Sequence, residues 1–381
     1  MQNQQKRELK SKIFKGVAIY SFIFCIGFLV FFISSLLVAG ISEFKRYYVK
    51  VDIEITEKLI QNPYSLSDTN KKYISRAWLR NLPNLIKEQK FEIGQNANLL
   101  ALASADVDGF LKENFTKFND EDRKEVFRLV EKGVIVSKFN SKFFSSGDSK
   151  IPENAGFFTA IMGSVLVMIV AIAFAFPIGV ASGIYLEKFI KDSKFSKFIE
   201  ININNLNAIP SIIFGLLGLS VFINFFGMPR SSALAGGIVL GIMSLPVIIV
   251  STRSALKSVP ESISQAGYAL GLTKLQVIKD HVLPNAFGGI LTGTIIALAG
   301  AIGETAPLMI VGMIAFVPQV ATDLLSPTTV MPAQIYIWAS SPEKAYIAKT
   351  AAAILVLLFV TFSLNLAAII LRNKINKKVK L

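Results

Sequence analysis

Residues 16–38 read GVAIYSFIFCIGFLVFFISSLLV, a run of 23 residues without a charged side chain. A helix of about 20 apolar residues crosses the roughly 30 Å hydrocarbon core of a bilayer, so this run predicts a transmembrane helix. The run is too long for the apolar segment of a typical signal peptide, and no small-residue cleavage site clearly follows it. We therefore expect a basic tail and a retained first helix in residues 1–41.

Five further apolar runs predict five more membrane spans. They cover residues 156–185, about 206–226, about 233–250, about 286–317 and about 348–371. The composition agrees, because 52% of the 381 residues are hydrophobic and only 17% are charged, against roughly a quarter charged in soluble domains. The sequence thus predicts an all-α polytopic membrane protein with six transmembrane helices.

The chain has one cysteine, Cys25, and one histidine, His281. A disulfide scaffold is excluded because Cys25 has no partner in the chain. A Cys/His zinc site is excluded because these two side chains supply too few ligands. The formal net charge of +14 does not indicate nucleic-acid binding either, because the excess lies at the ends of apolar runs rather than on one folded face.

The basic residues predict the orientation of the spans. Eighteen of the 21 Lys and Arg residues outside the block 42–155 lie in the segments 1–15, 186–200, 252–284 and 372–381. Cytoplasmic loops carry such an excess, so we expect all four segments, and both termini, in the cytoplasm. Residues 372–381 then form a basic cytoplasmic tail.

The block 42–155 is expected on the outside, as a small α+β domain between the first and second helices. Alternating residues at 51–55 predict a strand, and residues 134–136 predict another. Asn119 predicts the start of a helix with an apolar face of Val126, Phe127 and Val130, and Gly133 predicts its end. Because the block shows no catalytic or metal-ligating pattern, we interpret it as a structural insertion.

Residues 258–284 predict a stiff cytoplasmic corner between the fourth and fifth spans, within a core that covers 156–371. Pro260 can open a helix, and Gly271 can end it in a left-handed cap. Thr273 and Gln276 have the spacing of a capping box that starts a second helix, and Pro284 marks the membrane entry. Two capped helices suit a docking site that transmits force into the fifth span.

This corner resembles the EAA motif of ABC-importer permeases, with the full motif spacing. Gln265 stands where the motif has Glu, Gly267 where it has Ala, and His281 where it has Ile. The resemblance implies a coupling helix that inserts into a groove of a cytoplasmic ATPase. The residues assigned to coupling are Glu261, Gln265, Ala266, Gly267, Gly271, Leu283 and Pro284.

A second stretch, GETAPL at 303–308, resembles the signature of PstA-type permeases of phosphate importers, and the segments 209–215 and 245–248 are similar to that family as well. The family often has Arg four residues before the Glu of this signature, where this chain has Gly300. The resemblance assigns four residues to the substrate path: Gly303, Glu304, Thr305 and Pro307.

Glu304 stands out without any family, because a charged side chain inside a membrane costs at least about 2.5–3.5 kcal/mol and usually faces protein or water. A carboxylate alone would repel an anion. Glu304 therefore either pairs with an Arg of a neighbouring helix or partner chain, is protonated, or holds helices together without touching substrate. We assign no catalytic residue and no metal ligand to the chain.

The resemblance implies a permease subunit in a bacterial inner membrane that imports phosphate; molybdate or sulfate is the alternative. The implied partners are an ABC ATPase dimer at 252–284, a second homologous permease, a periplasmic phosphate-binding protein and the lipid bilayer. The chain has no G-x-x-x-x-G-K-S/T loop, so ATP and Mg would be used by the ATPase, with no cofactor held here. A receptor sensing through 42–155 would need a larger output domain than 372–381, and a membrane enzyme would need more than the lone Glu304.

Overall fold

The computed structural model describes residues 2–66, 69–112, 118–191 and 193–379. Four residues of the segments expected inside, Met1, Asp192, Lys380 and Leu381, lie outside the described residues. The chain divides into two compact units. The first unit contains residues 1–140 and 342–355, and the second contains 141–341 and 356–381.

The first unit begins with one long helix and continues as a small α+β domain. Its elements, in chain order, are α1 (Gln2–Ile41), β1 (Lys45–Glu54), α2 (Glu57–Gln61), α3 (Arg76–Glu88), β2 (Asn96–Leu102), α4 (Ala105–Leu111), α5 (Asp120–Glu131) and β3 (Ile135–Phe139). The strands form an antiparallel sheet in the order β2-β1-β3. Both predicted strands are confirmed, and the first one begins earlier than expected, at Lys45.

Alternation along β1 builds the core of this domain. Val49, Val51 and Ile53 are buried, whereas the residues between them are exposed. Successive side chains of a strand point to opposite faces, so one face of β1 packs into a core that also contains Leu82 and Val107.

Helix α5 starts and ends where the sequence predicts, but its buried face differs in part. The Asn119 side chain accepts a hydrogen bond from the Asp122 amide, and Gly133 has a φ of 68°. Val126 is buried as expected, whereas Phe127 and Val130 are exposed and Leu129 is buried instead. The prediction was wrong there because position 129 also lies on the core side of a helix, three residues after Val126.

The second unit is helical. Its helices are α6 (Ser141–Ser145), α7 (Phe158–Ile184), α8 (Lys194–Leu206), α9 (Ser211–Leu217), α10 (Ala233–Lys257), α11 (Glu261–Ala269), α12 (Lys274–Gln276), α13 (Leu283–Ile302), α14 (Ala306–Ile310), α15 (Met331–Ala339) and α16 (Ala345–Val379), the last of which begins in the first unit. Single π-helical segments follow α7, α9 and α12.

Five helical stretches of the described residues are long and apolar enough to cross a membrane, which confirms the all-α membrane class. They are Lys10–Phe44, Phe158–Phe189, Ala233–Lys257, Lys274–Ile302 and Ala345–Lys374. A sixth crossing passes the same test only as a bent pair, Lys194–Leu206 with Ser211–Phe225, which meet at 101°. The third predicted span is therefore broken at Pro210, which starts α9 instead of lying inside a helix.

The fifth predicted span is also shorter than expected. Its helix ends at Ile302, and residues 303–305 are not helical before α14 begins. The continuous span to residue 317 was wrong because Pro307 has no amide hydrogen and its ring would clash with the carbonyl of residue 303, four positions earlier. Gly303 at that position weakens the helix further.

The spans of the second unit pack closely through α10. It lies against α7 and α13, where Gly289 of α13 faces Ala255. A Cβ atom at Gly289 would lie 2.7 Å from the Cβ of Ala255, so the two backbones approach at a distance that only glycine permits. Gly293 packs in the same way against Ser251 of α10, whereas Gly300 faces open space.

Candidate coupling corner and substrate-path residues

The corner begins with α11, which Pro260 precedes as the N-cap residue. The helix ends with the Leu270 amide donating to the carbonyl of Ala266, and Gly271 follows with a φ of 80°. This conformation favours glycine, because a side chain there meets steric strain. The predicted left-handed cap at Gly271 is confirmed.

The second helix of the corner starts with the predicted capping box. The Gln276 amide donates to Thr273 Oγ1 at 3.4 Å, and the Thr273 amide donates to Gln276 Oε1 at 2.9 Å. These two bonds satisfy donors that a helix start otherwise leaves unpaired. The turn between α11 and α12 is therefore held at its start by the Gly271 cap and at its end by the capping box.

No break separates the corner from the fifth span. Residues Lys274–Ile302 form one helical stretch of 29 residues, about 44 Å long at 1.5 Å per residue. A π-helical segment, Val277–Val282, precedes Pro284, and Asn285 Nδ2 donates to the carbonyl of His281 at 2.6 Å. The proline is thus accommodated without ending the helix, and the second helix of the corner is continuous with α13.

The inner side of the corner is packed on the spans. Gly267 contacts Val277, and a Cβ atom at residue 267 would lie 2.8 Å from Val277 Cγ2. Val277 and Val282 are buried in a cluster with Leu256 of α10 and Ile290 of α13. Gly267 therefore holds α11 against the helix that continues into the membrane.

The outer side of the corner presents apolar side chains to the surroundings. Leu270 is 80% exposed, Leu275 is 65% exposed and Tyr268 is 47% exposed. Gln265 and Ala266 are exposed beside them. Exposed apolar groups that lie close together mark interaction sites. We call the exposed side of the corner with Tyr268, Leu270 and Leu275 the apex, and it has the character of a docking surface. The remaining residues assigned to coupling are an exposed Glu261, an exposed Pro284 and a half-buried Leu283.

Arg253, near the end of α10 and just before the corner, forms ion pairs with two glutamates. Arg253 Nε lies 3.4 Å from Glu187 Oε2, and Arg253 Nη1 lies 3.1 Å from Glu200 Oε1. Arg253 therefore joins the end of α10 to the segment after α7 and to α8, all at one end of the bundle.

Three of the four substrate-path residues lie in the break after α13, and Pro307 lies in the first turn of α14. Gly303 is exposed, Glu304 and Thr305 are half-buried, and Pro307 is buried against Gly215 of α9. The sequence predicted Glu304 inside a continuous helix, and this prediction was wrong because Glu304 lies in the non-helical segment 303–305. Its carboxylate forms no ion pair within the part of the chain that the structure describes.

The surface next to Glu304 is open. Gly300 lies one helical turn before it, and a Cβ atom at Gly300 would meet no atom within 4 Å. A side chain from another polypeptide therefore has room at Gly300. The structure does not bring this break together with the corner, because the 20 residues of α13 separate them by about 30 Å.

Sequence reasoning missed a buried ionic cluster in the first unit. Lys349 Nζ donates to Glu43 Oε1 at 2.6 Å, and Lys112 Nζ lies 2.9 Å from Glu43 Oε2 and 2.6 Å from Asp108 Oδ2. Arg46 Nη1 lies 3.5 Å from Asp108 Oδ2. The cluster joins the short turn after α1, which contains Glu43, to β1, to the end of α4 and to the start of α16.

The polar groups around this cluster complete it. Asn140 Nδ2 donates to the backbone carbonyl of Glu43 at 3.0 Å and to its carboxylate at 3.2 Å. Burial raises the pKa of the nearby Tyr47 phenol, and the Asp108 carboxylate adds to that rise. No local signal could have found these contacts, because 306 residues separate Glu43 from Lys349. In the described ranges, no group of three His, Cys, Asp or Glu residues could hold a metal ion.

Two families match this sequence. Residues 175–381, which include the corner and the break, match the binding-protein-dependent transport system inner membrane components. Residues 1–77 match a domain family of unknown function, DUF3333.

Curated relatives match about half of the chain. The phosphate transport system permease protein PstA of Xylella fastidiosa is 31% identical over 226 residues, which are 58% of this chain and 77% of that protein. The probable ABC transporter permease protein YqgI of Bacillus subtilis is 29% identical over 174 residues, 46% of this chain and 59% of that protein. A chain of the inward-facing MetNI methionine ABC transporter is similar at 19% identity with a TM-score of 0.48, covering 57% of this chain and 94% of that one.

Proposed function

This chain belongs to the family of binding-protein-dependent transport system inner membrane components, and we propose from that premise that it is the permease of an ATP-driven importer of inorganic phosphate. As a permease component it is a transport subunit and not itself an ATPase. The observation that carries the proposal is the capped corner, whose exposed apex continues without a break into α13. Phosphate is proposed because relatives about 30% identical are named phosphate permeases.

The corner would dock an ABC ATPase dimer. Its apex offers Leu270, Leu275 and Tyr268 to a groove, and the two capped helices keep the apex rigid. ATP-driven motion of the docked subunit would then displace α13, whose far end carries the break at residues 303–305. ATP and Mg would be bound by that partner.

The break would line the substrate path together with a second homologous permease. Glu304 has no cationic partner among the described residues, and the surface at Gly300 is open. An Arg from the second permease, placed against Glu304, would remove the repulsion between this carboxylate and a passing anion. A periplasmic phosphate-binding protein would deliver the substrate to the periplasmic side of the complex.

Uptake of labelled phosphate by the reconstituted complex in proteoliposomes tests this function. We expect ATP-dependent uptake that unlabelled phosphate suppresses and that equal concentrations of molybdate or sulfate leave largely unchanged. Liposomes without the ATPase serve as the control. Stronger competition by molybdate or sulfate than by phosphate would assign the other oxyanion, and uptake that does not need ATP would contradict the coupling role.

A further inference from the structure

The helix α8 has three different faces along its 13 residues. Successive residues of an α-helix are about 100° apart, which assigns each side chain to one face. The first face is half-buried against α10 and contains Ile199, Glu200 and Ile203. The second is exposed and mostly apolar, with Phe195, Phe198 and Leu206. The third is exposed and mostly polar, with Lys194, Lys197 and Asn204 beside the exposed Ile201.

The bend before α9 sets the direction of α8. The stretch Ser211–Phe225 packs on the membrane span α10, where Gly218 contacts Val239. Helix α8 meets that stretch at 101°, so its axis runs nearly perpendicular to a stretch that packs on a membrane span. The ion pair between Glu200 and Arg253 places α8 at the end of α10 that leads into the corner.

The direction of α8 determines whether its apolar face meets hydrocarbon or water. A helix in the membrane plane, held by the protein on one side, has one remaining side toward the hydrocarbon and one toward water. Phe195 and Phe198 are 66% and 63% exposed, which would be unfavourable in water. Lys194 and Lys197 are exposed beside them, and their charge matches anionic head groups.

We propose that α8 is an interfacial anchor that binds anionic phospholipid: Phe195, Phe198 and Leu206 insert among acyl chains, and Lys194 and Lys197 bind the head-group phosphates. The bound lipid supports α8 against α10 through Glu200 and Arg253, immediately before the coupling corner. Lipid charge therefore acts on the part of the bundle that receives the ATPase.

Site-specific quenching by lipids tests the proposal in the full chain. A bimane dye is attached to Phe198→Cys, or to Asn204→Cys as the water-facing control, in a Cys25→Ser background. The chains are placed in nanodiscs made of both phosphatidylcholine and phosphatidylglycerol. In one set the phosphatidylcholine has brominated acyl chains, and in the other set the phosphatidylglycerol has them. We expect strong quenching at 198, greater with phosphatidylglycerol, and quenching by aqueous iodide but little by bromine at 204.

The lysines are tested in the same assay. Lys194→Gln/Lys197→Gln should lower the preference for phosphatidylglycerol at position 198 by about fivefold per lysine. Lys87→Gln/Lys132→Gln, which removes two exposed charges from the first unit, should leave it unchanged. A dye at 198 that neither bromine nor iodide quenches would show that protein covers this face and would overturn the proposal. Equal quenching of the dye at 198 by both lipids, with Lys194 and Lys197 unchanged, would also overturn the proposal, because it would show no preference for the anionic head group.

Discussion

At the scale of single residues, Glu304 is a carboxylate without an ion-pair partner in the described chain, in a helix break beside an open surface. A partner Arg would form charge-assisted hydrogen bonds with it, each worth about 1.5–3 kcal/mol. On this proposal, the role of Glu304 depends on its charge rather than on its volume.

Glu304→Gln removes the charge and keeps the shape of the side chain. We expect phosphate uptake to fall about tenfold to a hundredfold while the complex still assembles, because the amide cannot hold an Arg as the carboxylate does. Uptake into proteoliposomes and gel filtration of the complex measure the two quantities. The exposed Glu92→Gln is the matched control. Normal uptake by an assembled Glu304→Gln complex would leave Glu304 only a packing role.

The ionic cluster of the first unit makes a second prediction for a single residue. Lys349 is 2% exposed and its ammonium group contacts Glu43. Removing one partner of a buried ion pair leaves the other uncompensated, at a cost of about 3–5 kcal/mol. Lys349→Ala should therefore lower the melting temperature of the purified chain clearly, whereas Lys344→Ala, at an exposed position on the same part of the chain, should not. Equal melting temperatures would show that the cluster adds nothing to stability.

At the scale of elements, the corner depends on the backbone at Gly271. A β-branched residue in the left-handed region costs roughly 1–2 kcal/mol and distorts the turn between α11 and α12. Gly271→Val should uncouple ATP hydrolysis from transport while the chain still inserts. Gly227→Val is a matched control, because Gly227 also has a positive φ and open space around it, yet lies outside the corner.

A third variant separates backbone strain from loss of glycine itself. Asn tolerates the left-handed conformation better than other residues, so Gly271→Asn should retain most of the coupling. Coupled ATPase activity of the reconstituted complex is the readout. If Gly271→Val hydrolyses ATP in step with transport as the wild type does, the turn is not part of the coupling path.

Elements with local signals were predictable from the sequence. The caps of α5 and of the corner depend on Asn119, Gly133, Gly271 and Thr273, and each was found where expected. The spans were expected to continue past Pro210 and Pro307, because proline is also tolerated inside membrane helices, and the structure breaks both.

The remaining misses come from contacts between distant parts of the chain. Burial of Leu129 instead of Phe127 is set by the sheet beside α5, and the ionic cluster joins residues 43 and 349. The residues of the candidate substrate path stay a prediction, and their local backbone structure was not predicted. Sequence placed Glu304 in a helix, whereas the Gly303–Pro307 pair puts it in a break.

At the scale of the whole molecule, the orientation in the membrane stays a prediction from the basic segments. In a Cys25→Ser background, Gln89→Cys in the first unit should react with an impermeant maleimide added to spheroplasts. Lys374→Cys, in the tail, should react only after the membrane is permeabilised. Reaction of residue 374 in sealed spheroplasts would contradict cytoplasmic placement of the tail.

The central claim is that a separate ATPase drives this permease through the corner. The most direct measurement is the amount of nucleotide-binding subunit, recognised by a G-x-x-x-x-G-K-S/T loop, that copurifies per chain from native membranes. We predict near-stoichiometric recovery with the wild type and with Phe127→Glu, an exposed apolar position in the first unit. Leu270→Glu/Leu275→Glu should lose the subunit, because burial of these two side chains in a groove would be replaced by burial of charge. Recovery of the ATPase with the doubly charged apex at the wild-type level would contradict the account.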